Sequence, residues 1–291
     1  MITSSSTLML PSRISGFLSL AITLALSGIA PAADYQGVRL IAHRGAGHEF
    51  DENTIEGCRQ SYGRGLRGFE VDIRLTKDDH LVLMHDADTS RTTGGTGKIE
   101  ALSLADVRQL RTKEHGVPVP AMTDLVAYFK DKPDVMLLLE LKTSDTQTYN
   151  EGRLQTYGRL VAATVKDMPK GTFWFTSFDR RVLSLMKRLL PEAPTGLLTG
   201  TPPTPEFIQD ALTLGCGRLS VSLDHTNRQY AREVKKAGLQ LSLWPIRSRE
   251  DADLAVMLGA NILCTDIPSD LLKSTTATGS ATLGRTRDSQ P

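Results

Sequence analysis

Short apolar runs rich in Val, Ile, Leu and Phe recur along the middle of the chain and alternate with longer amphipathic stretches. This alternation is typical of parallel strands joined by helices in an α/β fold. The predicted strands span residues 38–43, 68–75, 80–85, 135–141, 172–177, 195–198, 218–223, 239–245 and 262–266. The predicted helices span residues 52–66, 103–110, 123–129, 153–166, 180–190, 205–214, 228–237 and 249–258.

The number and length of these elements predict a TIM-like (β/α)8 barrel, since about 240 residues with eight βα units is the size of that fold. Nine strands are one too many for such a barrel. The second and third are separated only by residues 76–79, which are too few for a helix and suit a β-hairpin. We therefore expect an irregular barrel with a β-hairpin near strands 2 and 3, forming one domain over residues 33–273.

The two ends of the chain have a different character. Residues 14–29 are apolar and free of charge, follow Arg13 and precede an A-x-A motif at 30–32. This pattern predicts a signal peptide over residues 1–32 that is cleaved on export to the periplasm or the medium. The run is too short for a membrane anchor, so no stable anchor is expected. Residues 274–291 lack apolar periodicity, which predicts a disordered tail.

Charge and cysteine content narrow the function further. The chain has 34 Lys plus Arg residues against 33 Asp plus Glu, so it lacks the strong field that gathers nucleic acid, and no nucleic-acid partner is expected. Cys58, Cys216 and Cys264 are odd in number and lack the spacing of a zinc site. Export would permit one disulfide among them, although buried free thiols are the expectation.

Polar residues at the predicted strand ends are the candidates for chemistry, because a barrel gathers its active site at the carboxyl ends of its strands. A strand has a period of two residues, which turns Glu70 and Asp72 to the same face. Ionised side chains in apolar strands are costly unless they are paired or bind metal. The candidates are His43, Arg44, Glu70, Asp72, His85, Glu140 and Lys142.

The three carboxylates among them would repel one another at one barrel mouth. An oxygen-only set of Glu70, Asp72 and Glu140 suits a hard divalent cation, Mg²⁺ or Ca²⁺, rather than zinc. The alternative is that these carboxylates form ion pairs with Arg44, Arg74 and Lys142 and hold no metal.

The basic candidates suit a phosphate substrate. His43 and His85 are groups that can move protons near neutral pH. Arg44 and Lys142 add positive charge for a phosphate. With a cation, these are the parts of a metal-assisted phosphodiesterase.

The ordered motifs that carry these residues resemble the glycerophosphodiester phosphodiesterase family. The likeness covers residues 38–272, and the family fold is a TIM-like barrel. The motifs are HRG at 43–45, ENT at 52–54, E-x-D at 70–72, HD at 85–86, RTTGGTG at 91–97, ELK at 140–142, Trp244 and T-D-x-P at 265–268.

The resemblance implies an enzyme that cleaves small glycerophosphodiesters to glycerol 3-phosphate and an alcohol. It implies a path in which a neighbouring glycerol hydroxyl attacks phosphorus and water then opens the cyclic phosphate, with the two histidines exchanging roles. The implied site residues are His43 and His85 as acid and base, Glu70, Asp72 and Glu140 as ligands of one divalent cation, Arg44 and Lys142 on the phosphate, Asn53 on the first loop or a substrate oxygen, and Trp244 on the glycerol.

Two alternatives remain at this point. One is a related phosphodiesterase of lysophospholipase D or phosphoinositide phospholipase type, although the loop at 87–120 is too polar to favour an acyl-chain substrate. The other is a non-catalytic exported binding protein on the same barrel, although no catalytic or metal residue is missing. The sequence also departs from the family at Arg247, where Asn is usual. Arg247 is either a second anion contact or a solvated loop cation.

Overall fold

A computed structural model of the chain describes residues 33–273. The predicted signal peptide at 1–32 and the predicted tail at 274–291 lie outside the described residues. Within the described range, none of the helices has the length and apolar character needed to cross a bilayer.

The described chain forms ten strands, eight of which close into a parallel barrel. They are β1 (Asp34–Tyr35), β2 (Val38–Ala42), β3 (Gly68–Leu75), β4 (Leu81–Leu83), β5 (Met136–Leu141), β6 (Phe173–Ser177), β7 (Thr195–Thr199), β8 (Arg218–Ser222), β9 (Gln240–Ile246) and β10 (Ile262–Thr265). The barrel closes because β2 pairs in parallel with both β3 and β10. Strands β1 and β4 lie outside the ring and pair antiparallel with β2 and β3.

Helices connect most of the barrel strands. They are α1 (Ile55–Gly63), α2 (Leu104–Val107), α3 (Met122–Phe129), α4 (Glu151–Val165), α5 (Arg180–Leu189), α6 (Pro205–Thr213), α7 (Arg228–Lys236) and α8 (Arg249–Leu258). Most begin after a side chain whose oxygen accepts a hydrogen bond from the first turn, which satisfies a backbone donor that the helix itself leaves free. These capping residues include Thr54, Asn150, Asp179, Thr204, Asn227 and Ser248.

The strands divide their side chains between two layers. On β3, Phe69 and Val71 face outward into the core shared with the helices, so the intervening Glu70 and Asp72 face the barrel interior. On β5, Leu139 and Leu141 join the same outer core, as the period of two predicted. Burial of the apolar residues between sheet and helices thus fixes which polar groups point inward.

The predicted hairpin is confirmed, together with the irregular TIM-like barrel. Strand β4 runs antiparallel to β3, and the Thr76 amide donates to the His80 carbonyl at 2.9 Å. Ile73 pairs with the last residue of β5, so β3 extends two residues past that neighbour before it turns. The hairpin therefore rises above the barrel rim, and the returning chain brings His85 back to the mouth.

Several predicted boundaries were wrong. The first helix begins at Ile55 rather than residue 52, because Asn53 has a left-handed φ of 55° and Thr54 caps the helix. The predicted helix at 103–110 is a single α-helical turn, Leu104–Val107. The predicted strand at 80–85 is Leu81–Leu83. Strand β1 was not predicted, since two residues carry no readable alternation.

The segment between β4 and α3 has a core of its own. We call residues 84–121 the β4–α3 segment. It contains little regular structure, yet its apolar side chains pack with Val82 of β4 as a cluster separate from the main core. The buried members of this cluster are Val82, Met84, Ile99, Val107 and Val119. The segment is thereby held beside the barrel mouth.

Candidate active site

The predicted site residues gather at the carboxyl end of the barrel. A cavity of about 90 Å³ opens there. It is lined by His43, Arg44, Glu70, His85, Leu138, Glu140, Thr176, Phe178, Leu198, Ser220, Ser242, Trp244 and Cys264. Asp72, Asn53 and Lys142 adjoin it through direct contacts with one another or with Glu140.

The acidic cluster at the cavity fits a cation. Glu70, Asp72 and Glu140 are buried, and each offers an oxygen within 4.8 Å of the others. Burial, with the neighbouring Asp72 and Glu140 carboxylates, raises the pKa of Glu70 well above its ordinary value. Glu70 Oε1 and Asp72 Oδ1 are buried without a hydrogen-bond partner. Converging carboxylate oxygens that lack hydrogen-bond partners are suitable ligands for a hard divalent ion.

Ion pairing compensates only part of this charge. Lys142 Nζ lies 2.7 Å from Glu140 Oε1 and 3.4 Å from Asp72 Oδ1. Burial lowers the pKa of Lys142, but the neighbouring Glu140 and Asp72 carboxylates raise it above its ordinary value, so the ammonium stays charged. The Arg74 guanidinium turns away and pairs with Glu100. The Arg44 guanidinium pairs with Glu52. None of the three cations of the ion-pair alternative therefore forms a side-chain ion pair with Glu70.

The HRG motif forms a tight turn that reaches Glu70 with its backbone. His43, Arg44 and Gly45 make one 3₁₀ turn, in which Arg44 has a left-handed φ of 54°. The Arg44 amide donates to Glu70 Oε2 at 2.8 Å. Gly45 has a φ of 86°, and a Cβ there would lie 2.7 Å from the Cys58 sulfur. The motif therefore needs glycine for both conformation and space.

The Nδ1 atom of each catalytic histidine candidate lies within hydrogen-bond distance of an aspartate carboxylate. His43 Nδ1 lies 2.6 Å from Asp266 Oδ1, and His85 Nδ1 lies 2.7 Å from Asp86 Oδ1. A carboxylate in this position fixes the ring orientation and leaves Nε2 for chemistry. His43 Nε2 is 4.0 Å from Glu70 Oε2. Sequence reasoning assigned no role to Asp86 or Asp266, although both stand in recognised motifs.

A chain of charges links the second histidine to the HRG turn. Arg91 donates to Asp86 and, through both terminal nitrogens, to Glu52 at 2.7 and 2.9 Å. Glu52 also accepts from the Arg44 guanidinium at 2.9 Å. Burial raises the pKa of Asp86, but hydrogen bonds from Arg91 and His85 outweigh it and lower this pKa to about 2. Glu52 and Arg91 also lacked an assigned role, and their ENT and RTT motifs were the available signal.

Asn53 holds a metal-ligand candidate rather than facing the cavity. Its amide nitrogen donates to Asp72 Oδ2 at 2.8 Å, and its amide oxygen accepts from the Asp72 backbone at 2.9 Å. Both functional ends of the amide are thus used by Asp72. Of the two roles implied for Asn53, this geometry favours holding the first loop.

Trp244 forms one wall of the cavity. Its ring meets Phe178 edge-on, with centroids 5.8 Å apart and an interplanar angle of 86°. The indole Nε1 is buried without a hydrogen-bond partner. An apolar wall with an unused donor suits a ligand that has both carbon and hydroxyl groups. Arg247 is not among the cavity-lining residues; its guanidinium lies 3.4 Å from exposed Asp224, which favours the solvated reading.

Comparisons with known proteins find similar sequences and similar folds. The glycerophosphodiester phosphodiesterase of Caldanaerobacter subterraneus is 26% identical over 243 residues, which cover 80% of this chain and 96% of the relative. A phosphodiesterase from Oleispira antarctica, solved in complex with the product sn-glycerol-3-phosphate, has TM-score 0.75 at 24% identity and covers 81% of this chain and 96% of its own. A glycerophosphodiester phosphodiesterase from Parabacteroides distasonis has TM-score 0.70 at 22% identity, covering 84% of this chain and 98% of its own.

These solved structures share the barrel fold, and a family model extends the match to the site motifs. The model of the glycerophosphoryl diester phosphodiesterase family matches residues 43–270, which is most of the described barrel and contains every predicted site residue. The chain therefore belongs to the glycerophosphoryl diester phosphodiesterase family and is an enzyme of the phosphoric diester hydrolase class.

Proposed function

We propose that this enzyme hydrolyses glycerophosphodiesters to glycerol 3-phosphate and an alcohol, with the help of one divalent cation, Mg²⁺ or Ca²⁺. One observation carries the proposal. Two imidazoles, each oriented by a carboxylate on Nδ1, line the same cavity as a buried acidic cluster with unpartnered oxygens. The Oleispira antarctica structure, whose printed product is sn-glycerol-3-phosphate, supports the choice of substrate class.

The acidic cluster would hold the cation. Glu70, Asp72 and Glu140 provide the oxygen ligands, and Asn53 keeps Asp72 in place. When bound, the ion supplies positive charge that neutralises the phosphate oxygens. Lys142 lies on the same carboxylates with its ammonium charged, and Arg44 lines the cavity. Both would orient a phosphate by charge.

The histidines would move the protons at their Nε2 atoms. In the first step one histidine removes the proton of the glycerol hydroxyl next to the phosphate, and that oxygen bonds to phosphorus. The bond from phosphorus to the alcohol oxygen breaks, and the other histidine protonates the departing alcohol. In the second step water adds to phosphorus and opens the ring with the two proton transfers reversed. His43 and His85 leave the cycle in their starting protonation states.

Other functions on this barrel receive less support. A lysophospholipase D or phosphoinositide phospholipase would need an apolar groove for acyl chains, whereas Arg44, which lines the cavity, joins Glu52 and Arg91 in one charge network. A non-catalytic binding protein has no use for two carboxylate-oriented imidazoles. We also propose that the protein is exported. This part of the proposal rests on the signal-peptide pattern at residues 1–32.

The test is an assay of glycerol 3-phosphate release by the purified protein. Glycerophosphocholine and glycerophosphoethanolamine are incubated with EDTA-treated enzyme, with and without added Mg²⁺ or Ca²⁺. We expect release only with the metal. Lysophosphatidylcholine and phosphatidylinositol are the comparison substrates. Faster turnover of either lipid would overturn the assignment, as would release of glycerol 3-phosphate that EDTA leaves unchanged.

Arg91 offers a test of the charge network. Replacing Arg91 by Gln removes the cation shared by Asp86 and Glu52, so the carboxylate behind His85 loses its orientation. We expect kcat to fall by about tenfold while KM changes much less, because residues that orient a catalytic group act on the reacting state. Arg91→Lys should restore part of the rate. The control is Arg59→Gln, which removes an exposed ion pair with Glu56. A kcat for Arg91→Gln within twofold of the control would exclude this role.

A further inference from the structure

Cys264 occupies a position that the proposed reaction does not use. It lies on β10, where Leu263 faces the helices and Cys264 faces the barrel interior. Its side chain lines the catalytic cavity and is 4% exposed. Among the three cysteines, all of which the structure describes, it is the one that lines this cavity. A thiol is a soft donor, whereas the acidic cluster consists of hard donors.

The thiol has two metal-binding neighbours. His43, Glu70 and Cys264 each present a ligand atom within 4.8 Å of the others. Nitrogen, oxygen and sulfur together form a donor set that zinc accepts, with a water as the fourth ligand of a tetrahedral site. Ligand atoms around such an ion are roughly 3 to 4 Å apart, so side-chain rotations that shift the ligand atoms by about 1 Å would complete the geometry.

His43 and Glu70 are prepared for this second use. The Asp266 carboxylate holds His43 at Nδ1, which is the support that most metal-ligating histidines have and which leaves Nε2 free. Nε2 lies 4.0 Å from Glu70 Oε2, which accepts the Arg44 amide, and the other oxygen of this carboxylate, Oε1, is buried without a hydrogen-bond partner. A buried carboxylate with one unsatisfied oxygen, an oriented imidazole and a thiol therefore present ligand atoms within 4.8 Å of one another.

We propose that His43, Glu70 and Cys264 form a site for a divalent ion softer than Mg²⁺ or Ca²⁺, such as Zn²⁺ or Cd²⁺, and that this ion inhibits the enzyme. When the metal binds, the Cys264 thiol loses its proton to solvent and the sulfur bonds to the metal. The ion would take the lone pair of His43 Nε2 and share Glu70 with the hard-cation cluster, so the two ions compete. Metal binding at this site stands independently of the activity, whereas the inhibition rests on the proposed function.

The experiment compares Cys264→Ser and Cys264→Ala with the wild type and with Cys216→Ser, which changes a buried cysteine outside the cavity. Zn²⁺ is titrated against each enzyme at fixed Mg²⁺, with activity expressed relative to the same enzyme without Zn²⁺. We expect both Cys264 variants to need at least about tenfold more Zn²⁺ for half inhibition, as for loss of one ligand. Cys216→Ser should match the wild type, and more Mg²⁺ should relieve the wild-type inhibition.

A second readout does not depend on activity. Cd²⁺ bound to a thiolate gives a charge-transfer absorption in the ultraviolet, which we expect in the wild type and Cys216→Ser but not in either Cys264 variant. Equal Zn²⁺ sensitivity in all four proteins would place the ion on the acidic cluster alone and overturn the proposal. Cd²⁺ absorption that persists without Cys264 would overturn it too. Absorption in a protein without phosphodiesterase activity would contradict the proposed function and leave the metal site standing.

Discussion

Replacing His43 or His85 by alanine is expected to lower kcat by about 10² to 10⁴, because each variant removes one of the two proton-transfer groups. The loss should appear mainly in kcat, since neither imidazole neutralises the substrate charge that Arg44 and Lys142 face. The two single losses should not add in the double variant, because acid and base act in the same step. Steady-state kinetics with glycerophosphocholine at saturating Mg²⁺ measures all three variants.

The matched control is His80→Ala, which removes a half-exposed imidazole in the turn of the β3–β4 hairpin. It should keep the kinetics of the wild type. Turnover similar to the wild type in either His43→Ala or His85→Ala would remove that histidine from the acid–base pair. Equal losses in all three single variants would point to a general loss of folding instead, which circular dichroism would reveal.

Replacing Glu70 by glutamine is expected to raise the Mg²⁺ or Ca²⁺ concentration for half-maximal activity by about 10- to 100-fold, because one charged metal ligand becomes neutral. Glutamine keeps an oxygen that can accept the Arg44 amide hydrogen bond, so the HRG turn should persist. Activity measured against metal concentration in EDTA-treated enzyme gives the shift. A metal curve superimposable on that of the wild type would show that Glu70 is not a ligand.

Thermal unfolding gives a second measure of the same substitution. The raised pKa of Glu70 means that its ionised form is unfavourable in the folded, metal-free protein. Glu70→Gln should therefore unfold in EDTA at the same temperature as the wild type or higher. Added metal should raise the unfolding temperature of the wild type more than that of the variant, since a ligand stabilises the state that binds it. Glu56→Gln, at a partly exposed position in the first turn of α1 and outside the cavity, is the control.

The inward direction of Glu70 and Asp72 could be predicted from sequence because it depends only on the period of the strand and on which neighbours are apolar. The hairpin at residues 76–79 was equally local, since four residues cannot hold a helix. Both features follow from the burial of alternate residues on β3. Local sequence patterns were therefore sufficient to predict most of the barrel and the acidic cluster.

The contacts behind the histidines could not be predicted in the same way. Asp266 reaches His43 across 223 positions, and that contact exists only because β10 closes the ring beside β2. Arg91 reaches Glu52 across 39 positions from a segment with little regular structure. Motifs marked these residues as notable, but a pairing between distant loops depends on the path of the whole chain. The start of α1 was misjudged for a related reason, since Asn53 bends back to Asp72.

The catalytic residues rest on two apolar clusters, because the β4–α3 segment packs on a small core that is separate from the main core. The barrel supplies His43 and the acidic cluster, while His85, Asp86 and Arg91 depend on a segment anchored by a handful of buried side chains. Regions with few buried apolar contacts open at lower free energy than the rest of a protein. Local opening of this segment would withdraw one proton-transfer group from an otherwise folded barrel. The stability of the barrel and the retention of activity would then depend on different parts of the chain.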